Sequence, residues 1–348
     1  MNVNEDDEII EQPATADETS ARHVALRIRR KLPGRRIDKY LQGRFPHLSR
    51  AAVQRYIKDG TITVNGRPTK ASYEMCTGDL VEMTIPEPTP LEVIPQEMPI
   101  EVVYEDDYII AVNKRAGVVC HPAHADQTGT LVNGLVHYAM QKAGTLSHGS
   151  APYRPGVIHR LDKNTTGVML IAKQDEAHWR LALQFEHRSV QKTYLAVVHG
   201  EIPLDGDTID APIGVHPVVR EKFAVLVLEN KINIAKNAVT TYEVAERFKG
   251  YTLVKLLPKT GRTHQLRVHM SYIGFPIVGD RMYGGRVVSE HTIADSGSTT
   301  PIFEFQALHA WRLRVKHPIS EQYMEFEAPF HDAFKQLMNL LRTHRAIG

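Results

Sequence analysis

Arg154-Pro155-Gly156-Val157-Ile158-His159-Arg160-Leu161-Asp162-Lys163-Asn164-Thr165-Thr166-Gly167 runs directly into the apolar stretch Val168-Met169-Leu170-Ile171-Ala172. The second half, 168–172, reads as a buried strand, because it is a short continuous apolar run bounded by a turn signal. The first half is a loop that brings a carboxylate, Asp162, to the strand's entrance among His159, Arg160 and Lys163. Nearby positive charge favours the ionised form of a carboxylate. An oriented carboxylate can act as a nucleophile, a base or a metal ligand. Taken alone, Asp162 is equally well a turn residue or an ion-pair partner.

Further strands are predicted around this one at 194–198, 239–244, 251–257 and 310–315, with Val102-Val103 and Ile109-Ile110-Ala111-Val112 upstream. Helices are predicted over 175–187, over 263–273 where Gly274 stops the helix, and over 332–343. Strands outnumber helices and no strict βαβ alternation appears. The expected class is therefore α+β, with a mixed, mainly antiparallel sheet. The polar stretch 287–300 reads as a mobile insertion, and no internal repeat is visible.

Of the 348 residues, 42% are hydrophobic and 24% charged, enough for packed cores and against a largely disordered chain. No apolar run approaches the ~20 residues of a membrane span, and the start, MNVNEDDEII, lacks the order of a signal peptide. Cys76 and Cys120 are the only cysteines, too few for a disulfide framework or a Cys-rich zinc site. A cytoplasmic protein is expected. The net charge of +2 hides an asymmetry. Residues 1–20 carry seven acidic residues and no Lys or Arg, and are expected to be disordered. Residues 21–70 carry 14 Lys and Arg against Asp38 and Asp59 alone, a local excess of +12 that favours a polyanionic partner.

Within that block Ile37, Tyr40, Leu41 and Phe45 recur at helical spacing, and Pro46 ends the helix. A second helix is capped by Ser49 and carries Ala52, Val53, Tyr56 and Ile57 on one stripe and Arg50, Gln54 and Lys58 on another face. Thr61-Ile62-Thr63-Val64 alternates at period two into Asn65-Gly66, a favoured hairpin turn, and a last strand runs over 79–85. The proline-rich PEPTPLEVIPQEMP that follows reads as a semi-stiff linker.

Two later segments carry chemistry. Lys259-Thr260-Gly261-Arg262-Thr263-His264-Gln265-Leu266-Arg267-Val268-His269 joins a strand to a helix and presents Arg262 in the first turn, where a planar fork can clamp a carboxylate or phosphate. His264 and His269 are five apart and do not form a zinc motif. Gln191-Lys192-Thr193-Tyr194 opens a buried strand; the Tyr194 ring offers a stacking face for a base and its hydroxyl an exchangeable proton. Each of these residues alone fits an ordinary core or surface role.

Together, and in this order, the segments resemble the RluA/RluD-type pseudouridine synthases that modify ribosomal RNA. His159-Arg160-Leu161-Asp162 with Thr165-Thr166-Gly167 resembles that family's signature loop. Asn113-Lys114-Arg115-Ala116-Gly117-Val118-Val119 with His121-Pro122, Lys192-Thr193-Tyr194, and Gly261-Arg262-Thr263-His264-Gln265-Leu266-Arg267 resemble its other motifs, with weaker agreement at Gly274-Phe275-Pro276-Ile277-Val278-Gly279-Asp280 and Leu308-His309-Ala310. Arg115 stands where the family usually has proline, and residues 221–236 and 287–300 fit its pattern poorly. The basic block, through Arg36-Ile37-Asp38-Lys39-Tyr40-Leu41, Ser49-Arg50 and Gly60-Thr61-Ile62-Thr63-Val64-Asn65-Gly66, resembles an S4-type RNA-binding domain.

The resemblance implies a domain plan of acidic tail 1–20, S4-type domain with a basic extension 21–86, linker 87–99, and a catalytic domain of pseudouridine synthase fold over 100–348. It implies an isomerase that breaks the C1′–N1 bond of a flipped-out uridine and rejoins the base through C5, with no cofactor and no metal. Asp162 takes the catalytic role, by attack at C1′, attack on the base or elimination. Tyr194 helps the C5 proton leave. Arg262 holds Asp162 and fills the space the base vacates. Arg36, Lys39, Arg50, Arg55, Lys58, Arg160, His264 and Arg267 are expected to contact RNA. The partner is large-subunit ribosomal RNA or its precursor, with no membrane and the protein as a monomer. A non-catalytic ribosome-assembly factor and a synthase acting on transfer RNA are the competing readings.

Overall fold

In the computed structural model the chain separates into two units, Met1–Leu91 and Glu92–Gly348. Described are residues 8–11, 21–29, 36–45, 50–86, 93–121, 128–147, 154–219, 221–226 and 235–347.

The first unit orders β1 (Glu8–Glu11), β2 (Ala21–Arg27), α1 (Ile37–Arg44), α2 (Arg50–Lys58), β3 (Ile62–Val64), β4 (Arg67–Pro68) and β5 (Leu80–Pro86). Its sheet runs β1-β2-β5-β3-β4. Ile37, Tyr40 and Leu41 on α1 and Val53 and Ile57 on α2 are buried against Ile62, Val64, Val81 and Met83. The predicted 3.6- and 2-residue periods thus meet in one core. Asn65 and Gly66 both adopt positive φ, 53° and 71°, as the β3–β4 turn requires.

Two expectations are corrected here. Residues 21–27 are a strand inside the sheet rather than a basic extension. Val24, Leu26 and Ile28 point inward while His23, Arg27 and Arg29 are exposed, an alternation overlooked beneath the charge excess. The acidic tail contributes β1, antiparallel to β2 with Glu8 opposite Arg27. Ser49 and the side chain of Arg50 lie outside the described residues.

The second unit adds β6 (Val102–Glu105), β7 (Ile109–Lys114), α3 (Leu131–Gln141), β8 (Thr166–Ala172), α4 (Asp175–Glu186), β9 (Gln191–His199), β10 (Gly206–Asp210), β11 (Ile213–Val215), β12 (Phe223–Val225), β13 (Val239–Phe248), β14 (Tyr251–Pro258), α5 (Gln265–Tyr272), α6 (Glu290–Ala294), β15 (Leu308–Lys316), β16 (Tyr323–Glu327) and α7 (Asp332–His344). The main sheet runs β10-β13-β14-β9-β15-β8-β7-β6, with β16 also on β15. Among the described strands of this sheet β8 with β15 is the parallel pairing; the others are antiparallel. The mixed, mainly antiparallel sheet expected from the sequence is what forms.

Residues 109–112 of β7 and 168–172 of β8 are continuously apolar because both faces of these strands are covered. Ile109, Ala111, Leu170 and Ala172 share a cluster with Ala177 and Leu181 of α4. Ile110, Val112, Met169 and Ile171 share another with Leu131 and Leu135 of α3. β9 and β14 bury Val197, Val254 and Leu256 with Leu266 of α5 and Leu337 and Leu341 of α7.

α3 was not foreseen, since Gly134 weakens its helical signal. That glycine answers a packing demand: a Cβ there would lie 2.3 Å from Met98 Cγ. Residues 94–98, expected as linker, are docked on α3. Asn133 donates Nδ2 to the Ile94 carbonyl, and Gln96 donates its N–H to the Asn133 carbonyl. The stretch 287–300 is likewise no mobile insertion. Ser289 and Thr292 form a capping box at the start of α6, and Val288 and Ile293 are buried in the main core. Two apolar anchors sufficed where the polar composition suggested a loop.

Candidate active site

The Asp162 loop is clamped from several sides. Lys114, at the end of β7, is 1% exposed. Its ammonium donates to the carbonyls of Arg115, Val118 and Lys163 at 2.9, 2.8 and 2.8 Å. Burial lowers its pKa to about 8. The Cys120 thiol donates to the Leu161 carbonyl at 3.1 Å. His159 is half-buried, stacked on Phe185 with centroids 4.5 Å apart, and accepts the Leu170 N–H at its Nε2. Burial, with Lys192 nearby, lowers its pKa to about 3. His159 is therefore a neutral structural acceptor, not one of the cations expected around Asp162.

Gly167 closes the loop onto the sheet. Its φ is +113°, and a Cβ would sit 2.2 Å from the Ala310 carbonyl oxygen, so glycine alone lets β8 run against β15 here. Thr166 hydrogen bonds His309 Nδ1 at 2.8 Å, and His309 Nε2 lies 3.1 Å from the Ala328 carbonyl oxygen.

These constraints present Asp162 to a cavity of about 470 Å³, which Tyr194, Arg160, Arg262, His264 and Arg267 also line. The guanidinium that meets Asp162 belongs to Arg267, not to Arg262: Arg267 Nη1 is 3.6 Å from Asp162 Oδ2. Arg267 is itself held by Asp280, donating Nε to Oδ2 at 2.7 Å and Nη2 to Oδ1 at 2.8 Å. Asp280 is 2% exposed. The guanidinium lies 4.9 Å from the centroid of the Tyr283 ring, and the Tyr283 hydroxyl hydrogen bonds His264 Nδ1 at 2.7 Å. A fork shared between two carboxylates and backed by a ring has little freedom to move.

The expected roles shift accordingly. Arg262 lines the cavity but donates its Nε to the Asn237 carbonyl at 3.0 Å. Arg267, expected to contact RNA, is buried and holds carboxylates. His264 is half-buried at the left-handed residue preceding α5, with φ 56°. Arg160 is exposed on the cavity rim. Burial, and then the Asp162 charge, push the Tyr194 phenol well above its usual range, so it stays protonated at neutral pH. A protonated phenol is a poor acceptor for the C5 proton that the sequence reading assigned to it.

In the first unit Lys39, Arg55 and Lys58 are exposed. Arg36 instead donates Nε and Nη2 to the two carboxylate oxygens of buried Asp38, at 3.1 and 3.0 Å. Sequence reasoning missed the work of Lys114 and Asp280. Both stood inside quoted motifs, and the signal was a charged residue at the edge of an apolar run, where burial demands a partner. Among the described residues no three His, Cys, Asp or Glu side chains group as metal ligands.

The sequence pattern of the family described as RNA pseudouridylate synthase matches residues 108–272, and that of the S4 domain matches residues 35–81. The chain is 43% identical over 309 residues to the uncharacterized RNA pseudouridine synthase YlyB of Bacillus subtilis, covering 89% of this chain and 95% of that protein. It is 41% identical over 319 residues to the ribosomal large subunit pseudouridine synthase D of Pseudomonas aeruginosa, covering 90% and 94%. The solved structure of human RNA pseudouridylate synthase domain containing 4 superposes with a TM-score of 0.54 at 25% identity, over 70% of this chain and 93% of that one.

Proposed function

This chain belongs to the RNA pseudouridylate synthase family, and we propose that it converts specific uridines of large-subunit ribosomal RNA to pseudouridine, with Asp162 as the catalytic carboxylate. The observation that carries the reading is the Asp162 carboxylate at the cavity, paired with a buried Arg267 that Asp280 orients. A fixed carboxylate acts on the bond between C1′ and N1 without first having to be ordered. Arg267 stabilises its charge, and the rim residue Arg160 supplies positive potential for the incoming strand. Tyr194 offers its ring face to the uracil once the nucleotide leaves its stack, a displacement that costs ~a few kcal/mol. Its hydroxyl, protonated in the resting site, relays the C5 proton only by passing its own to an acceptor such as Asp162.

Two features support ribosomal RNA over transfer RNA: the relative from Pseudomonas aeruginosa is named for the large ribosomal subunit, and the N-terminal unit matches the S4 domain. The test is chemical mapping of pseudouridine in ribosomal and transfer RNA from cells with and without the protein. Loss of defined large-subunit sites is the expected result. Loss confined to transfer RNA would overturn the substrate assignment.

A further inference from the structure

The same cavity is lined by further cations besides those around Asp162. Lys192 lies on β9 two residues before Tyr194, on the same face of the strand and about 7 Å along it. Its stem is half-buried, and its Nζ sits at the Gly261 turn, 3.9 Å from where a Cβ of Gly261 would be. Arg188, exposed just beyond the end of α4, lines the same cavity, near enough for its charge to act on Lys192.

Neither side chain has an ion-pair or hydrogen-bond partner among the described residues. Glu186 lines the cavity as well but pairs with neither cation. The two like charges work against each other: burial and the Arg188 charge both lower the Lys192 pKa. Elsewhere in this unit the buried cations are answered, Lys114 by three carbonyls and Arg267 by Asp280. Arg188 is exposed and water can answer it, but Lys192 is half-buried beside that like charge, and such a cation in a cavity is relieved by an anion that arrives from outside.

We propose that Lys192 and Arg188 form a phosphodiester subsite that receives a backbone phosphate flanking the target uridine. The inference rests on the assignment of this cavity as the synthase site. The distance from Tyr194 to Lys192 along the strand is of the order of that between a base and its neighbouring phosphate. A phosphate held there fixes the backbone while the base stays free to detach and turn. Lys192 is thus a binding and positioning residue, separate from the group that acts on the sugar.

The test uses the full chain and a short RNA with one target uridine. Lys192→Met keeps the buried stem and removes the charge. It is expected to raise KM about tenfold and leave kcat within about twofold. The slope of log affinity against log salt should fall by about 0.7, one single-strand contact. Lys192→Arg should restore most of the affinity. A methylphosphonate at one linkage flanking the uridine should raise the wild-type KM by a similar factor and add nothing further in Lys192→Met. Thermal melting confirms that the variants fold. An unchanged KM and salt slope in Lys192→Met, or a fall in kcat alone, would overturn the subsite. So would full additivity between Lys192→Met and methylphosphonates at both flanking linkages. Saturation by submillimolar inorganic phosphate without competition against RNA would mean a free-anion site and also overturn it. Failure of the synthase assignment is distinguishable, because the wild type would then form no pseudouridine at all.

Discussion

Two uses of positive charge stand side by side in the two units. In the first unit Lys39, Arg55 and Lys58 are exposed along short helices. In the second, Lys114 and Arg267 are buried, and each donor reaches a fixed acceptor. An exposed cation contributes attraction that salt screens and that any phosphate satisfies. A buried, saturated cation contributes geometry, because its partners hold their places only while it is present. The same residue types therefore offer an exposed basic surface in one unit and hold a cavity-lining carboxylate in the other.

The sharpest way to break this contrast is at Asp162, the proposed catalytic carboxylate. Asp162→Asn preserves shape but removes the charge that Arg267 meets. Turnover should fall on the order of 10⁴-fold with RNA affinity nearly unchanged. Residual activity in the purified variant above about 1% of wild type would remove Asp162 from the central role.

Next in size is the carboxylate behind the arginine. Asp280→Asn leaves Arg267 buried with a neutral partner. Unfolding free energy should drop by ~3–5 kcal/mol, measured by urea titration, and turnover should fall even where the protein remains folded. If kcat holds at a temperature where the variant is native, Asp280 does not position Arg267 for catalysis.

Replacing Lys39, Arg55 and Lys58 together by Gln should leave kcat on a short RNA fragment intact. It should weaken binding to long ribosomal RNA and lower the salt slope by roughly 2–3, at ~0.7–0.9 per lost contact. A salt series with equal slopes for both proteins would mean that these cations are only a solvated surface.

A last effect, and the one least tied to the site, is on stability against pH. His159 and His309 titrate near 3 and 4 in the fold, because burial disfavours their charged forms, against an ordinary value of 6.5. Both are neutral in either state above about 6.5, so their contribution is complete there. As pH falls below 6.5 the unfolded chain takes up protons that the fold refuses. Each histidine then removes up to ~1.4 kcal/mol per pH unit until its folded-state pKa is reached. Urea midpoints at pH 7 and pH 5 measure this, and His159→Phe should flatten the difference.

How much of this was legible depends on the range of the interaction that decides it. Strands 168–172, 194–198, 251–257 and 310–315 announced themselves because apolar runs of that length have little other use, and each lies inside an observed strand. Asp162, Tyr194 and the turn before α5 were found in motifs that are local in sequence. The strand at 21–27 was hidden by its own arginines, and α3 by a glycine whose reason, Met98, lies 36 residues away.

The partner of Asp162 was beyond the reach of sequence. Arg262 and Arg267 sit in one short motif, and either could have met the carboxylate. The choice fell to Arg267 because α5 turns it inward toward Asp280, while Arg262 is drawn to the Asn237 carbonyl. By itself, the sequence indicated most of the strands and helices, the α+β class and Asp162 as the candidate carboxylate. These follow from local periodicity and from residue types that have few alternatives. Which cation holds that carboxylate, which histidines are neutral and which lysine is left without a partner were decided only by tertiary packing. Burial and pairing depend on neighbours contributed by distant segments, and no local pattern encodes them.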